Sequence, residues 1–114
     1  MTTTDIYGFQ HDDLDVARVA IESALAIRLQ GHDSTYLGEY FRGSVSSALS
    51  LQLRRNTDPM HDPQSDSPEE RFAEPEFSSS RLLLLVSGSD AEAIRQTLQQ
   101  RVSGLSFLRR RETA

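Results

Sequence analysis

Residues 48–54, Ala-Leu-Ser-Leu-Gln-Leu-Arg, alternate apolar and polar side chains more cleanly than any other part of the chain. Successive side chains of a strand point to opposite faces, so the leucines share one face and the serine, glutamine and arginine share the other. The pattern predicts a strand in a sheet that has one buried face and one wetter face. A mainly antiparallel sheet with helices on one side has this property.

Further strands are predicted on both sides of this stretch, from short runs of aromatic, β-branched or alternating apolar residues. Residues 82–86 form an uninterrupted apolar run, which is typical of a strand buried on both faces. A turn is predicted at residues 31–35, and a basic tail at residues 109–111 follows the last strand. The predicted strands are residues 5–9, 27–30, 36–44, 48–54, 81–87 and 105–108.

Two helices are predicted from apolar side chains that recur every three or four residues. The first has Asp12 as its expected N-cap and ends near Leu25, and the second is capped by Ser89 or Asp90. The resulting order is β-α-β-β-β-loop-β-α-β. This order predicts a single α+β domain over residues 1–114, a two-layer sandwich with two helices on a mainly antiparallel sheet.

The composition limits the chemistry that the chain can carry. There is no cysteine, which excludes disulfide frameworks, thiolate zinc sites and thiol nucleophiles. All 12 basic residues are arginine and the formal net charge is −5, which argues against direct nucleic-acid binding because phosphate contacts need a basic surface. The first residues lack a secretory-signal pattern, and no apolar run would span a membrane, so we expect a cytoplasmic protein.

Residues 57–80, which we call the acidic loop, contain all 4 prolines and show no periodicity. Seven acids against one arginine give this segment a charge of −6, whereas eleven arginines against ten acids give the rest of the chain +1. An acidic surface can dock on a basic partner, because opposite potentials speed encounter and select partners. The plainer alternative is a solvated, mobile tract. The seven acids are Asp58, Asp62, Asp66, Glu69, Glu70, Glu74 and Glu76.

No spacing in the chain is typical of a catalytic or metal site. The adjacent acids Asp12 and Asp13, like Glu69 and Glu70, do not converge on one point. The 3 histidines show none of the usual metal-ligand spacings, and the serines lack the strand-turn-helix elbow of a nucleophile. We therefore predict no catalytic residue, no metal and no cofactor.

An aromatic stretch at residues 36–42, Tyr-Leu-Gly-Glu-Tyr-Phe-Arg, is the other candidate contact surface. Tyrosine and arginine are enriched among the residues that dominate protein interfaces. Alternation places Tyr36, Tyr40 and Arg42 on one face of a strand, with Glu39 and Phe41 on the other. Aromatic side chains on a strand also form cross-strand pairs in a core, and that interpretation stays open.

Taken together, these segments resemble small immunity-type proteins of bacterial contact-dependent and type VI toxin systems. The resemblance covers residues 5–90 and is carried by the opening Asp-Ile-Tyr-Gly-Phe, the helix that begins with aspartate, the aromatic stretch, and Leu-Gln-Leu-Arg-Arg-Asn at residues 51–56. It implies an inhibitor, monomeric or homodimeric, that binds one cognate protein toxin and does no chemistry. A basic nuclease-type toxin would suit the acidic loop. The contacts would then come from the seven acids together with Tyr36, Tyr40 and Arg42.

Two other functions stay open. The element order also fits a small ligand-binding or glyoxalase-like enzyme domain, which would need a concave pocket lined by polar groups such as His32, Glu39 and Arg54. Alternatively, the chain is a self-associating structural domain that pairs through an edge strand at residues 105–111.

Overall fold

In a computed structural model, the chain forms one six-stranded sheet with two helices, and residues 2–57, 60–62, 64–66, 71–89 and 91–113 are described. The elements are β1 (Thr2–Phe9), α1 (Leu14–Leu25), β2 (Gln30–Ser34), β3 (Gly38–Ser46), β4 (Leu49–Arg55), β5 (Leu82–Gly88), α2 (Glu92–Arg101) and β6 (Ser106–Thr113), with a 3-10 helix at Pro75–Phe77. The strands lie in the order β2-β3-β4-β5-β1-β6, and all are paired antiparallel. The predicted α+β sandwich is confirmed.

The core lies between the sheet and the helices, and β4 supplies its centre. The three leucines of β4 are buried on the helix side, as their alternation predicted. β5 is buried on both faces: Leu84 joins the same core, whereas Leu83 is buried on the opposite face. Burying a large apolar side chain stabilises a fold by about 1.5–3 kcal/mol, so these contacts are its main support. The helices contribute Leu14, Ala17, Ile21, Ile94 and Leu98.

The first helix starts one residue later than predicted. Its N-cap is Asp13, not Asp12, because the Asp13 carboxylate accepts a hydrogen bond from the Val16 amide at 3.1 Å. A side chain in this position satisfies a backbone donor that the first turn leaves without a partner. The helix ends at Leu25 as predicted, where Ala26 adopts the left-handed backbone with φ 54°.

The second helix begins without a hydrogen-bonded side-chain cap. Its N-cap is Ala91, so Ser89 does not hold the position predicted for it, and Asp90 lies outside the described residues. Glu92 places a negative charge in the first turn, which favours the helix dipole. Within the described ranges, no helix is both long and apolar enough to cross a membrane.

The first hairpin lies further along the chain than predicted. β2 occupies residues 30–34, most of which had been assigned to a turn, and residues 27–29 form a connection instead of a strand. Glu22 accounts for the shift, because its carboxylate accepts a hydrogen bond from the Leu29 amide at 2.8 Å and so ties the connection to α1. Leu29 is buried and joins the core. The apolar alternation at residues 27–30 therefore reflects a connection that is attached to α1, and not a strand over residues 27–29.

The predicted basic tail belongs to the sheet. Residues 109–111 lie within β6, which pairs with β1 at the edge of the sheet. Arg110 accounts for the longer strand: its Nε and Nη2 donate to the two carboxylate oxygens of Asp5 at 2.6 and 2.9 Å. Asp5 is fully buried, so this contact joins the two strands from inside the fold. The edge position predicted for the last strand is confirmed.

The end of β5 requires glycine on steric grounds. Gly88 has φ +149°, and a Cβ there would lie 1.9 Å from the carbonyl oxygen of Ala48. Gly104 has φ +80°, but a Cβ there would meet nothing within 4 Å. We expect Gly88→Ala to lower the free energy of unfolding by about 2 kcal/mol and Gly104→Ala by about 1 kcal/mol. Urea unfolding of both variants measures the difference, and equal losses would contradict the steric argument.

Candidate functional site

The two faces of the sheet are covered differently. Both helices pack on one face, and we call the opposite one the open face. Residues 71–80, which we call the covering segment, lie over part of it, because Glu74 and Glu76 bind Arg111 and Arg109 and Ser80 lies against Gly8. Ile6 and Leu83 lie on the open face and are 0% and 1% exposed. Contact is tight there, since a Cβ on Gly8 would lie 2.3 Å from Ser80 Oγ. On the half of the open face formed by β2, β3 and β4, the described residues His32, Arg42, Ser44 and Ser50 are exposed, and we call this the uncovered half.

Asn56, directly after β4, fixes the covering segment. Its side chain donates to the carbonyl oxygens of Glu74, Phe77 and Ser80 at 3.3, 2.9 and 3.0 Å. Its Oδ1 accepts a hydrogen bond from the Glu74 amide at 2.8 Å. Asn56 is 1% exposed, so one buried amide satisfies four backbone groups of the covering segment. The described end of the acidic loop is therefore a fixed part of the fold.

Two acids of the covering segment pair with arginines of β6. Arg111 Nη2 donates to Glu74 Oε2 at 2.7 Å, and Arg109 Nη1 donates to Glu76 Oε1 at 2.9 Å. The hydrogen bond with Glu74 raises the pKa of Arg111 above its ordinary value. Both carboxylates are thus bound by the chain's own guanidinium groups.

Asp62 and Asp66 close a local turn. Asp62 accepts hydrogen bonds from the Gln64 amide at 2.9 Å and the Ser65 hydroxyl at 2.8 Å, and these lower the pKa of Asp62. Asp66 Oδ2 accepts one from the Asp62 amide at 2.9 Å, and His61 Nδ1 lies 3.9 Å from the same oxygen. Every described acid of the acidic loop therefore has a contact within the chain. The remaining three, Asp58, Glu69 and Glu70, lie outside the described residues.

The aromatic stretch divides between a turn and the open face. Tyr36 lies in the turn between β2 and β3 and is 76% exposed. Tyr40 and Arg42 point to the open face, because the intervening Phe41 pairs with the buried Leu53. The structure therefore separates Tyr36 from the strand face that alternation predicted for it.

Tyr40 forms an aromatic pair with a residue that the interface prediction missed. Its ring stacks on His32 of β2 with centroids 5.3 Å apart and an interplanar angle of 21°. His32 and Tyr40 are directly opposite in the β2–β3 register, so the pair depends on the shift of β2 into residues 30–34. Because a turn was predicted at residues 31–35, the sequence did not predict a strand contact of His32.

Arginine and small polar side chains lie near His32 of the stacked pair. A shallow depression of about 420 Å³ has a lining that includes Arg28, Gln30, His32, Arg42, Ser44 and Ser50, with no acid among the described residues that line it. Arg28 and Arg42 are exposed, and neither forms an ion pair with another described residue. We call Arg28, His32, Tyr40 and Arg42 the arginine–aromatic patch.

The convergent pocket of the enzyme hypothesis does not form. Glu39 lies on the helix side, 3.6 Å from Arg55, whereas His32 and Arg54 lie on the open face. A different cleft, of about 690 Å³, lies where β4 meets the covering segment; its lining includes Arg55, His61, Arg71 and Arg81 together with Asp12. Within the part of the chain that the structure describes, no group of three or more histidines and acids is placed to hold a metal ion.

A scan against protein-family models gave no match for this chain, and a search of curated proteins found no relative. The candidate site therefore rests on its geometry, together with the resemblance in the sequence. The geometry favours the uncovered half of the open face, where the arginine–aromatic patch lies.

Proposed function

We propose that this chain is a non-catalytic binding protein of the immunity type, which neutralises a cognate protein toxin by covering the toxin's active or substrate-binding surface. The observation that carries the proposal is the uncovered half of the open face, where Tyr40, His32 and Arg42 project from paired strands. Side chains on a rigid sheet lose little conformational freedom on binding. Tyrosine and arginine are also the residue types that dominate interface energetics.

Tyr36 extends this surface at the end of the same hairpin. It belongs to the turn between β2 and β3, next to the strands that carry the stacked pair. A tyrosine ring contributes a large rigid contact area and a hydroxyl that can hydrogen-bond to a partner. The hairpin thus offers one contact from its turn and one from its strands to the same partner.

The acidic loop supports the proposal less directly. Glu74 and Glu76 are paired with Arg111 and Arg109, so a basic toxin would compete with these arginines for them. Their charge still contributes to the long-range potential that guides encounter. The central contacts of the complex are therefore expected on the open face.

The neighbouring gene's product is the first protein to test as the partner. If the proposal is right, this product arrests growth when expressed alone, co-expression of our chain restores growth, and the two proteins co-purify. A neighbouring product that is harmless, or that does not bind, would contradict the proposal. Growth rescue and co-purification are separate readouts, so binding without neutralisation is also detected.

Tyr36→Ala and Tyr40→Ala are each expected to weaken the complex by about 1–3 kcal/mol, or about 5- to 150-fold in Kd. The reason is the loss of ring surface that the partner would bury, since Tyr36 is 76% exposed and Tyr40 is half-buried. Isothermal titration calorimetry measures both variants against the purified partner. Val19→Ala is the matched control, because Val19 is 52% exposed on α1, on the helix side of the sheet. Equal affinity for wild type and the two tyrosine variants would place the interface elsewhere.

A further inference from the structure

We infer that the partner surface that docks on the open face is acidic, and that it presents aspartate or glutamate side chains to Arg28 and Arg42. The inference rests on the proposed function and specifies its partner. It also reverses the partner charge that the composition suggests, since the acidic loop by itself favours a basic toxin.

The first argument is the segregation of charge across the sheet. Within β2, β3 and β4, the acids are Asp33 and Glu39, which pair with each other across the two strands. Both lie on the helix side, since Phe41, two residues from Glu39, packs against the core. The open face of the same strands carries Arg42 and Arg54, and Arg28 just precedes β2. This half of the open face is therefore basic although the chain is acidic overall.

The second argument is the manner in which the other half of the same face is already covered. There the covering segment places Glu74 and Glu76 against Arg111 and Arg109, at 2.7 and 2.9 Å. These contacts show that carboxylates on a segment laid over this sheet reach arginines that project from it. A partner bound over β2 and β3 would place its own carboxylates against Arg28 and Arg42 in the same way.

The third argument is the supply of neutral donors beside the two arginines. Gln30 and Ser44 line the same depression, and both side chains can donate hydrogen bonds to carboxylate oxygens. Arginine pairs with a carboxylate through two parallel hydrogen bonds, which fixes orientation as well as charge. His32, whose ring stacks on Tyr40, lines the same depression and adds an aromatic surface beside these donors.

A nucleic acid is the competing anionic partner, because stacked aromatic rings with arginine also suit bases and phosphates. The net charge of −5 disfavours it, since a polyanion meets the potential of the whole chain while a protein surface can present a few local acids. The structure therefore favours an acidic protein surface, and nucleic acid is an outcome that the experiment must detect.

The test uses poly-L-glutamate, poly-L-lysine and poly(U) RNA as probes of the intact chain at an ionic strength of about 0.1 M, with binding followed by two-dimensional NMR of backbone amides. We expect poly-L-glutamate to shift the resonances of residues 28–32 and 40–44, and poly-L-lysine to leave them unchanged. Poly-L-lysine acting on these residues would overturn the inference. Tighter binding of poly(U) than of poly-L-glutamate at the patch would overturn it in favour of nucleic acid.

Three charge reversals supply the matched comparison. Arg28→Glu, Arg42→Glu and Arg101→Glu change the net charge equally, but Arg101 is exposed at the end of α2, away from the open face. The first two should weaken poly-L-glutamate binding about tenfold, and the third less than about twofold, because charges beyond the Debye length of about 10 Å are screened. Equal losses in all three would show that only overall charge matters, and would overturn the inference.

The same variants separate this inference from the proposed function once a toxin partner is in hand. Loss of neutralisation in Arg28→Glu and Arg42→Glu, with Arg101→Glu fully active, supports both. Full neutralisation by all three variants overturns the acidic-surface inference and leaves the immunity function standing. Absence of any toxin partner, with the poly-L-glutamate result as expected, overturns the proposed function and leaves an acidic-protein-binding face.

Discussion

Asn56→Ala should detach the covering segment from the sheet and lower the free energy of unfolding by about 3 kcal/mol. Asn56 is 1% exposed, and its side chain provides three hydrogen bonds to carbonyl oxygens and accepts one from the Glu74 amide. Each buried polar group that loses its partner costs roughly 1–3 kcal/mol, and water entering the opened segment offsets part of the sum. Few other single side chains of the chain hold so much backbone in place.

Hydrogen exchange and proteolysis would locate this effect. The Glu74 amide donates to Asn56 Oδ1, so its exchange should become fast in the variant while that of core amides in β4 and β5 changes only with global stability. Trypsin should also gain access after Arg81, whose backbone is held by hydrogen bonds to Phe9 and Asn56 at 2.8 Å each. Slow exchange of the Glu74 amide in the variant would contradict the proposal that Asn56 fixes the covering segment.

Asn56→Asp is the sharper control because it keeps the size of the side chain and the oxygen that accepts from Glu74. It replaces the donating NH2 group with a carboxylate oxygen that faces the carbonyl oxygens of Phe77 and Ser80. We therefore expect Asn56→Asp to be at least as destabilising as Asn56→Ala at neutral pH. Gln52→Ala removes a side chain on the open face of the preceding strand β4 that does not bind the covering segment, and should cost less than about 1 kcal/mol.

Local patterns in the sequence predicted the strands in which the spacing of the apolar residues matches the spacing of the buried positions. The alternation of residues 48–54 identified β4, and the apolar run at residues 82–86 identified β5 with both of its faces buried. The rule that alternation predicts a strand failed at residues 27–30, because residues 27–29 form a connection that a hydrogen bond to Glu22 holds in place. A hydrogen bond between a helix side chain and a later backbone amide leaves no periodic trace.

The candidate site depends on contacts between distant residues, which sequence patterns do not encode. Asn56 reaches backbone groups 18–24 positions further along the chain, and Arg110 reaches Asp5 across 105 positions. The charge count placed the net negative charge in the acidic loop correctly, but it did not reveal that Glu74 and Glu76 are bound to β6. Glu74 and Glu76 are therefore less free than the charge count alone suggests, and we prefer the arginines of the open face as candidates for the central contacts.

Arg110→Ala should be the most destabilising arginine substitution in the chain, at about 3–4 kcal/mol. Arg110 binds both carboxylate oxygens of Asp5, which is 0% exposed, and also pairs with Glu92 at the start of α2. The hydrogen bonds that Arg110 donates to Asp5 and then to Glu92 raise the pKa of Arg110 further above its usual range. Removing the guanidinium leaves a buried carboxylate with no cation bound to it, a change that typically costs about 3–5 kcal/mol.

The neighbouring Tyr7 is buried, so a charge without a partner would be poorly solvated in this environment. Tyr7 is fully buried, and burial followed by the nearby Asp5 charge raises the pKa of its hydroxyl to about 12. A folded pKa above the ordinary 10 means that the protonated phenol stabilises the fold below pH 10, and that this contribution is lost as the pH rises toward about 12. The unfolding measurements on Arg110 variants therefore belong at neutral pH, where Tyr7 stays protonated throughout.

Two comparisons decide whether the loss in Arg110→Ala comes from the buried charge or from a weakened edge strand. Arg109→Ala removes an arginine one position away whose partner, Glu76, is 46% exposed, and should cost less than about 1 kcal/mol. The double variant Asp5→Leu with Arg110→Met removes both charges and fills the space with apolar groups, so it should recover most of the loss in urea unfolding. If the double variant were as unstable as Arg110→Ala, the β1–β6 pairing itself would depend on the arginine. If it recovers, the bidentate contact specifies the register of β6 more than it stabilises the fold, because an apolar pair would hold the strand equally well.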